Sequence, residues 1–508
     1  MPMIQRDLLL AIDVGTGSVR AALLTSGGVT LGFAAQEHEQ IVPQFGWSEQ
    51  RPADWWAGAV SVIRRVLHMV PDASARVAAI AACGQMHGTV LIDADGEPTL
   101  DAVPLWNDKR NRNEVDRFLT SEAWRGLLPL AGNPPSVAWW GFKLQWLKAH
   151  RPAAYARAVA VIAPKDWINF KLTGAVAIDA PEASCTYLYD VVRGDWSADL
   201  ASRLGIDIRL LPPIREPQEV LAGVSASAAA ETSLPEGIPV VVGISDYPAA
   251  LLGSGVSMPG LASDVTGTST VLTLCTSAPV LDDVITNVRG ALPNWSAFTI
   301  LDAGGDAMRW ARRAFHEKAY DYDRIVALAG SAPPGAGMLL FLPYLNGERL
   351  GRSTNSRAQF IGLTSSHGAS HLHRAVMEGV AFAAARNLRV MTAAGNTVER
   401  MVAAGGGAKT RLWLEIKASI YGCPILTTAA EESGVLGCAM LAGTGIGLYA
   451  DLAAATVSLV RFTGEVQPIP AWAEIYGRLA TIFDQAYENS HSYWTMLEAA
   501  EAAVPAPS

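Results

Sequence analysis

The chain opens with two apolar runs that are separated by a glycine turn. The run LLLAIDVG leads into Thr16 and Gly17, and a second run, SVRAALLT, follows directly. Apolar runs of this length on either side of a glycine-containing turn are typical of a β-hairpin. The pattern therefore predicts a hairpin whose turn is Gly15-Thr16-Gly17.

A related pattern recurs in the second half of the chain, where the sequence reads LASDVTGTSTVLTLCTS. Residues 13–18 (DVGTGS) and 264–269 (DVTGTS) share one order of acidic, turn and hydroxyl residues, with one residue inserted. Repetition at this scale predicts two domains of one design, each presenting a hairpin turn to a shared cleft. Chance similarity between short stretches rich in glycine and threonine is the alternative.

Helical and strand-like patterns alternate along the rest of the chain. Residues 54–69 have helical spacing, whereas VAVIAP and IPVVVG are typical of strands, so we predict a mixed α/β fold. The glycines and proline of GSGVSMPG predict a junction near residues 250–260. We divide the chain into an N-terminal domain, 1–253, a C-terminal domain, 254–494, and a frayed tail, 495–508. A late helix should pack on the second domain through one apolar face, formed by Trp472, Ile475, Tyr476, Leu479, Ile482, Phe483, Ala486 and Tyr487.

Charge and cysteine content narrow the classes of function. The formal charge is -9 at pH 7 and the sequence contains no block of five or six lysines or arginines, which argues against nucleic-acid or anionic-membrane partners. The five cysteines are far apart and form no C-x-x-C, as expected of reduced, buried thiols. The first apolar run is too short for a signal peptide, so we expect a cytoplasmic protein. The uncharged stretch from Gly434 to Ala450 is interrupted by glycines and predicts a buried helix that ends in a turn.

Four glycine turns are candidates for holding a nucleotide. Backbone N–H groups can approach a phosphate closely where no side chain intervenes, so glycine turns suit this task. Each turn alone is more commonly structural, but together they predict an ATP site. The turns are Gly15-Thr16-Gly17, Thr266-Gly267-Thr268-Ser269, Gly304-Gly305 and Gly405-Gly406-Gly407.

The sequence does not complete the motifs of other nucleotide-binding or hydrolytic enzymes. GGGAKT at 405–410 has Ala408 where a Walker loop needs its last glycine. The dinucleotide motif G-x-G-x-x-G is not completed at residues 15–20, which end in Arg20, or at residues 253–258, which end in Met258. No G-x-S-x-G is present for a nucleophile elbow. His367, His371 and His373 form either a zinc cluster or a solvated helix start, and the absence of H-E-x-x-H favours the helix start.

Several motifs together resemble one family. They are GQMHG at 84–88, LWNDKR at 105–110, PKDW at 164–167 with KLTG at 171–174, FLPYLNGER at 341–349, FIGLT at 360–364 and AGGGAKTRLWLEI at 404–416. In this order they resemble the FGGY carbohydrate kinases, most closely the xylulokinase-like branch. The resemblance extends from about residue 7 to residue 450.

This resemblance implies a fold of two actin/hexokinase-like (ribonuclease H-like) domains around a central cleft for ATP and a sugar, with Mg²⁺. It implies that Asp246 is the catalytic base and contacts the substrate, together with Met86, His87, Asp108 and Trp139 or Trp140. Asp13 would lie near the metal and the phosphates. The nucleotide contacts would be Gly15, Thr16, Gly17, Thr266, Gly267, Thr268, Gly305 and Gly407. The implied reaction converts D-xylulose to D-xylulose 5-phosphate.

The chain departs from the family pattern at a few positions. Ser245 stands where a glycine usually precedes the catalytic aspartate, and Tyr247 where Gln or Asn is common. Ser419 replaces an Asp found in many relatives, and Leu350-Gly351-Arg352 replaces Thr-Pro-His. These changes bear on the sugar, so ribulose, erythritol and glycerol stay open as substrates, as does an actin-like ATPase module without sugar chemistry. The oligomeric state also stays open, a homodimer being one option.

Overall fold

The computed structural model describes residues 6–316, 318–348, 353–430 and 432–503. The chain forms two compact units. Unit 1 consists of the chain up to Ser257, Ser277–Ser296 and Ala430–Val460, and unit 2 consists of Met258–Thr276, Ala297–Ala429 and the chain from Arg461. Unit 1 thus takes in segments from the second half of the sequence, and the division at residue 253 stays a prediction about linear order.

In chain order, the strands of both units are β1 (Leu8–Val14), β2 (Ser18–Thr25), β3 (Thr30–Glu37), β4 (Glu49–Gln50), β5 (Val77–Gly84), β6 (Val90–Ile92), β7 (Val103–Pro104), β8 (Ala160–Ile162), β9 (Ile178–Asp179), β10 (Tyr189–Asp190), β11 (Asp195–Trp196), β12 (Ile214–Arg215), β13 (Val220–Gly223), β14 (Pro239–Val241), β15 (Ile244–Ser245), β16 (Leu261–Thr266), β17 (Thr270–Thr276), β18 (Thr286–Arg289), β19 (Trp295–Leu301), β20 (Leu340–Leu342), β21 (Gln359–Ile361), β22 (Arg400–Ala404), β23 (Ile425–Thr428) and β24 (Phe462–Val466).

The α-helices, again in chain order, are α1 (Pro52–Met69), α2 (Ala73–Arg76), α3 (Arg112–Thr120), α4 (Leu128–Ala131), α5 (Trp140–His150), α6 (Pro152–Arg157), α7 (Pro164–Thr173), α8 (Ala180–Ser184), α9 (Ala198–Leu204), α10 (Ala226–Thr232), α11 (Asp246–Ser254), α12 (Gly305–His316), α13 (Tyr322–Gly330), α14 (Ala369–Ala393), α15 (Arg411–Tyr421), α16 (Ser433–Gly445), α17 (Leu452–Leu459) and α18 (Pro470–Ala502).

Both predicted hairpins form, and each is the start of a sheet with the same plan. In unit 1 the order is β3-β2-β1-β5-β14-β13, and in unit 2 it is β19-β17-β16-β22-β23-β24. In each sheet the hairpin is antiparallel and the next two neighbours are parallel. The sequence repeat is therefore a structural repeat, and chance similarity is no longer needed to explain it.

Two layers of side chains explain why β1 is apolar without alternation. Leu8, Leu10 and Ile12 point into a core with α1 and α7, whereas Leu9 and Ala11 belong to a second core formed with α11 and α16. Successive strand residues face opposite sides of a sheet, so a strand covered on both faces is apolar throughout. Asp13 continues the odd-numbered series and therefore points to the side of α11 and α16.

Several other sequence predictions are confirmed. The helix at 54–69 is α1, and the uncharged stretch from Gly434 is the buried α16, which ends at Gly445. All five cysteines are free and buried. No helix within the described ranges is long and apolar enough to span a membrane.

The prediction of a frayed tail over residues 495–508 was wrong for residues 495–502, which belong to α18. The apolar face of α18 buries residues as late as Trp494, and the helix continues to Ala502 instead of fraying from residue 495. Arg357 forms an ion pair with Glu501, and Asn355 donates a hydrogen bond to Glu498, so polar contacts hold the last turns. Residues 504–508 and the predicted motif residues 349–352 lie outside the described residues.

Candidate active site

The carboxyl ends of three parallel strands meet in unit 1. In the register, Val14 of β1 and Ser245 of β15 both lie opposite Gly84 of β5. Ligands of open α/β sheets bind beyond the carboxyl ends of the strands. The residues that follow these ends or stand just before them are Asp13, the GQMHG segment and Asp246, so the fold gathers the predicted base and sugar contacts in one place.

Asp246 is the first residue of α11 and is partly buried. The Tyr247 N–H donates a hydrogen bond of 2.7 Å to Asp246 Oδ1, which lowers the pKa of the carboxyl. Burial and the charge of Asp13 act in the opposite direction and win, raising the pKa of Asp246 to about 7. A general base is most effective when its pKa lies near the working pH.

Asp13 carries an oxygen that no neighbour uses. Its Oδ1 is buried without a hydrogen-bond partner among the described residues, while Oδ2 lies 3.6 Å from Arg20. Burial raises the pKa of Asp13, and Arg20 only partly offsets this. Mg²⁺ is bound in proteins through one or two carboxylates together with substrate phosphates. The free oxygen fits that use, and no cluster of three or more metal-ligating side chains occurs in the described chain.

His87 has an unusual backbone conformation. Its φ is 64°, in the left-handed region that non-glycine residues seldom adopt. Both tryptophans are buried: the ring of Trp139 meets the ring of His87 edge to face at 5.0 Å, whereas Trp140 donates its indole N–H to Gly88 O. Of the two tryptophans, Trp139 is thus the one beside His87. Met86, the preceding residue, is 9% exposed.

The peptide groups of His87 are held from both sides. Its N–H donates to Glu182 Oε1 at 2.6 Å, and its carbonyl accepts from Lys143 Nζ at 2.7 Å and from Thr89 Oγ1 at 3.2 Å. Lys143 also donates to Leu105 O at 2.6 Å. Hydrogen bonds of this kind hold a strained backbone in place because the alternative leaves buried polar groups unpaired.

Asp108 is completely buried and its carboxylate is already occupied. It accepts hydrogen bonds from Arg110 Nε and Nη2 and from the backbone N–H of Ser48. A bidentate pair of this type fixes the LWNDKR loop. Direct contact between Asp108 and a sugar stays a prediction.

In the first hairpin turn, Thr16 is tied down on several sides. Its hydroxyl donates to Gln85 and accepts from Trp106 Nε1 at 3.1 Å, and its carbonyl accepts from Gln50 at 2.6 Å. A Cβ at Gly17 would meet no atom within 4 Å, so this glycine borders open space. The turn is rigid and its glycine is accessible, as binding of a phosphate by backbone N–H groups requires.

In unit 2 the second hairpin turn gathers two of the other glycine segments. Gly305 N–H donates to Gly267 O at 2.9 Å, and a Cβ on Gly305 would lie 2.3 Å from that oxygen. A Cβ on Gly407 would lie 2.7 Å from Thr266 Cβ, whereas Gly267 borders open space. Glycine is required at these contacts because any side chain would push the segments apart.

Thr266 is held in place by the buried ion pair between Lys417 and Asp264. Lys417 Nζ lies 2.7 Å from Asp264 Oδ1 and 2.6 Å from Thr266 Oγ1, and Tyr421 donates to Asp264 Oδ2 at 2.7 Å. Burial lowers the pKa of Lys417, partly offset by Asp264. The arrangement leaves Asp264 no free oxygen.

Family comparison gives the decisive observation. The model of the FGGY family of carbohydrate kinases, N-terminal domain, matches residues 8–253, and the model of the C-terminal domain of the same family matches residues 262–446. The chain belongs to the FGGY family of carbohydrate kinases. It is therefore a phosphotransferase with two domains of the actin/hexokinase-like type, as the motifs predicted.

Relatives of this FGGY kinase differ in the substrates that their names give. The xylulose kinase of Bacillus subtilis (strain 168) is 27% identical over 96% of this chain and 98% of its own length. The autoinducer-2 kinase of Salmonella paratyphi B is 31% identical over 95% of this chain and 94% of its own length. The crystal structure of xylulose kinase from Rhodospirillum rubrum matches with a TM-score of 0.91 at 28% identity, covering 96% of this chain and all of that one.

Kinases of this family use ATP, typically with Mg²⁺, and the residues of this FGGY kinase fit both. The unpartnered Asp13 oxygen could hold the cation, and the open glycines Gly17 and Gly267 leave room for phosphate oxygens.

Sequence reasoning missed three functional candidates: Glu182, Lys143 and Lys417. Each is a charged side chain that is at most 1% exposed. The available signal was the apolar neighbours of these residues, as in Gly-Phe-Lys143-Leu and Glu-Ile-Lys417-Ala. Charged groups are almost never buried without a partner. Ser419 was noted as a departure, and its hydroxyl donates to Glu415 O and accepts from the N–H of Ile469.

The histidine cluster is split between two environments. His367 and His371 lie at the start of α14 as predicted, but His373 is buried and its Nε2 lies 2.9 Å from His316 Nε2. The expectation of a solvated helix end was therefore wrong for His373, because its position on α14 turns it into the core.

Proposed function

We propose that this kinase transfers the γ-phosphoryl group of ATP to the terminal hydroxyl of D-xylulose, with Asp246 as the general base. The observation that carries the proposal is the position of Asp246, directly after β15 at the strand ends that also carry the GQMHG segment. Burial and the charge of Asp13 raise the pKa of Asp246 there to about 7. His87 and Trp139 beside the same strand ends supply a polar group and an apolar wall for a small sugar. A raised pKa from burial and a like charge is typical of catalytic carboxylates.

The reaction requires a residue that accepts the proton of the sugar hydroxyl and a group that neutralises charge on the phosphates. As the sugar oxygen bonds to the γ-phosphorus, Asp246 accepts the hydroxyl proton, and the bond from that phosphorus to the bridging oxygen breaks to release ADP. Mg²⁺ held at Asp13 would neutralise negative charge on the phosphates. Binding, orientation and exclusion of water account for most of the rate in such transfers.

Charge around the strand ends of unit 1 favours a neutral sugar over a sugar acid. Lys143 is committed to two backbone carbonyls, Arg110 to Asp108, and Lys165 to Asp166 and Asp179. The carboxyls of Asp13 and Asp246 add negative potential. A carboxylate substrate would need a cation free to balance its desolvation. Arg110 and Lys165 are already paired with carboxylates, and Lys143 already donates to two backbone carbonyls.

A second candidate substrate is autoinducer-2, which the 31% identity to the autoinducer-2 kinase favours over the 27% identity to the first xylulose kinase. The xylulose kinase from Rhodospirillum rubrum, with its TM-score of 0.91, favours D-xylulose. The motifs from GQMHG to the FIGLT segment also resemble the xylulokinase-like branch. We therefore place D-xylulose first.

An ADP-release assay across a substrate panel tests the proposal. The panel holds D-xylulose, ribulose, erythritol, glycerol and autoinducer-2, each with Mg²⁺ and with EDTA, and Asp246→Asn serves as the matched control. We expect ADP release that depends on D-xylulose and Mg²⁺ and is nearly abolished in the variant. If the enzyme turned over another compound of the panel faster, that compound would replace D-xylulose as the proposed substrate. ATP hydrolysis independent of every sugar would overturn the proposal in favour of an ATPase module.

A further inference from the structure

Glu182 lies behind the strand ends, in the short helix α8, and is 1% exposed. We infer that Glu182 is a positioning residue that holds His87 and the segment carrying Asp246 in one fixed relation. The inference rests on the proposed function, because it concerns how the sugar contact and the base are kept in register.

One carboxyl group touches both segments. Glu182 Oε1 accepts the backbone N–H of His87 at 2.6 Å, and Glu182 Oε2 accepts the hydroxyl of Ser245 at 2.6 Å. Ser245 is the last residue of β15 and directly precedes Asp246. Glu182 is thus hydrogen-bonded to the predicted sugar contact, His87, and to the residue directly before the proposed base, Asp246.

The hydrogen bonds to His87 hold its backbone in a strained conformation. His87 has a φ of 64°, in the left-handed region that residues other than glycine seldom adopt. Glu182 holds the N–H of His87 and Lys143 holds its carbonyl, so the strained peptide is clamped at both ends. Removing Glu182 would leave the His87 N–H buried without an acceptor and free the backbone to relax.

Burial, with the charge of Asp179 second, raises the pKa of Glu182 to about 8. The hydrogen bonds that Glu182 accepts from Ser245 and His87 act in the opposite direction and lower the pKa of its carboxyl. His87 Nδ1 lies 3.7 Å from Glu182 Oε1, but burial lowers the pKa of His87 and so favours the neutral ring, and Lys143 is directed at carbonyls instead. When the carboxyl is protonated, its carbonyl oxygen still accepts from the His87 N–H, and the Ser245 hydroxyl rotates to accept from Glu182 Oε2 instead of donating to it. Glutamine has the same shape and can make the same two bonds, with its amide group facing the Ser245 oxygen.

The bridge depends on the hydroxyl of Ser245. A glycine at this position would have no hydroxyl to offer. The serine is completely buried, and its hydroxyl has the Glu182 carboxylate as its acceptor. The link to the base therefore arises from one of the sequence departures.

The test compares Glu182→Gln, Glu182→Ala and Ser245→Ala in the full chain, with sugar and ATP kinetics measured separately. We expect Glu182→Gln to stay within about threefold of wild type in kcat/KM for the sugar. Glu182→Ala should lose about 30- to 100-fold, with a raised sugar KM and an unchanged ATP KM, because a misplacement near 1 Å can cost about 100-fold. Ser245→Ala should lose about fivefold to tenfold.

Several outcomes would overturn the inference. They are sugar kinetics of Glu182→Ala equal to wild type, equal damage in the Gln and Ala variants, or an ATP KM that rises together with the sugar KM. Should Glu182→Ala fail to fold, Ser245→Ala decides, since it removes one hydrogen bond and leaves the core intact. A wild-type enzyme inert towards every sugar would instead refute the proposed function, so the two failures are distinguishable.

Discussion

Asp13 and Asp264 hold the same place in two related hairpins, but only Asp264 is paired with a buried lysine. Lys417 lies 2.7 Å from Asp264, and Tyr421 takes the second oxygen. Asp13 keeps a buried oxygen without a partner among the described residues. Both oxygens of Asp264 are therefore used in contacts that stabilise the second hairpin turn, whereas Asp13 keeps one oxygen that could bind a ligand.

The buried pair in unit 2 should be strongly coupled. We expect Lys417→Met to lower the free energy of unfolding by about 3–5 kcal/mol, because it leaves Asp264 buried and unpaired. Urea unfolding, followed by circular dichroism, measures this change. Nucleotide affinity should fall as well, since Lys417 also contacts Thr266.

The double variant Asp264→Asn with Lys417→Met is the matched control. Replacing both charges together removes the unpaired group, so most of the lost stability should return. If Lys417→Met and the double variant were equally unstable, the pair would not be the source of the effect.

Activity should depend on pH through the Asp246 carboxyl. We expect kcat/KM for the sugar to rise with pH through about 7 and then level, because the base must be deprotonated and its pKa is raised to about 7. The charge of Asp13 contributes to that rise in pKa. In Asp13→Asn the rising limb should therefore move to lower pH, even though the activity itself falls. A limb that keeps its position in the variant would argue against electrostatic contact between the two carboxyls.

The sequence predicted those parts of the molecule that depend on local pattern. Both hairpins, α1 and α16 follow from apolar runs, helical spacing and glycine turns, and the apolar run IPVVVG predicted a strand shortly before Asp246. These features are set by residues close together in the chain, where propensity and turn chemistry act.

What the sequence did not reveal depends on distant contacts. Glu182 is 63 residues from Ser245 in the chain, yet their side chains are hydrogen-bonded. Asp108 looked available for a sugar, but Arg110 and Ser48 occupy its oxygens. Helix α16 joins unit 1 although it follows most of unit 2 in sequence. Pairing across such separations is decided by tertiary packing and has no local signature.

Within unit 1, α11 and α16 pack so closely that one glycine becomes critical. A Cβ on Gly253 would lie 1.8 Å from the carbonyl oxygen of Ser433. We expect Gly253→Ala to destabilise the protein by about 1–3 kcal/mol, since a backbone contact cannot yield as a side chain can. Because α11 carries Asp246, kcat should fall too.

Gly477 in α18 provides the control for that substitution. A Cβ there would meet no atom within 4 Å, so Gly477→Ala should stabilise the helix by about 0.5–1 kcal/mol. Thermal unfolding of both variants measures the contrast. Equal effects at the two positions would rule out helix contact as the cause.

The most direct test of the proposed mechanism is the turnover of Asp246→Asn measured beside its affinity for the sugar. Asparagine has nearly the shape of aspartate but cannot accept the hydroxyl proton, so kcat should fall by about 100-fold or more. The dissociation constant for D-xylulose, measured by calorimetry, should stay within a few-fold of wild type. A variant that turns over at close to the wild-type rate would contradict the assignment of Asp246 as the base.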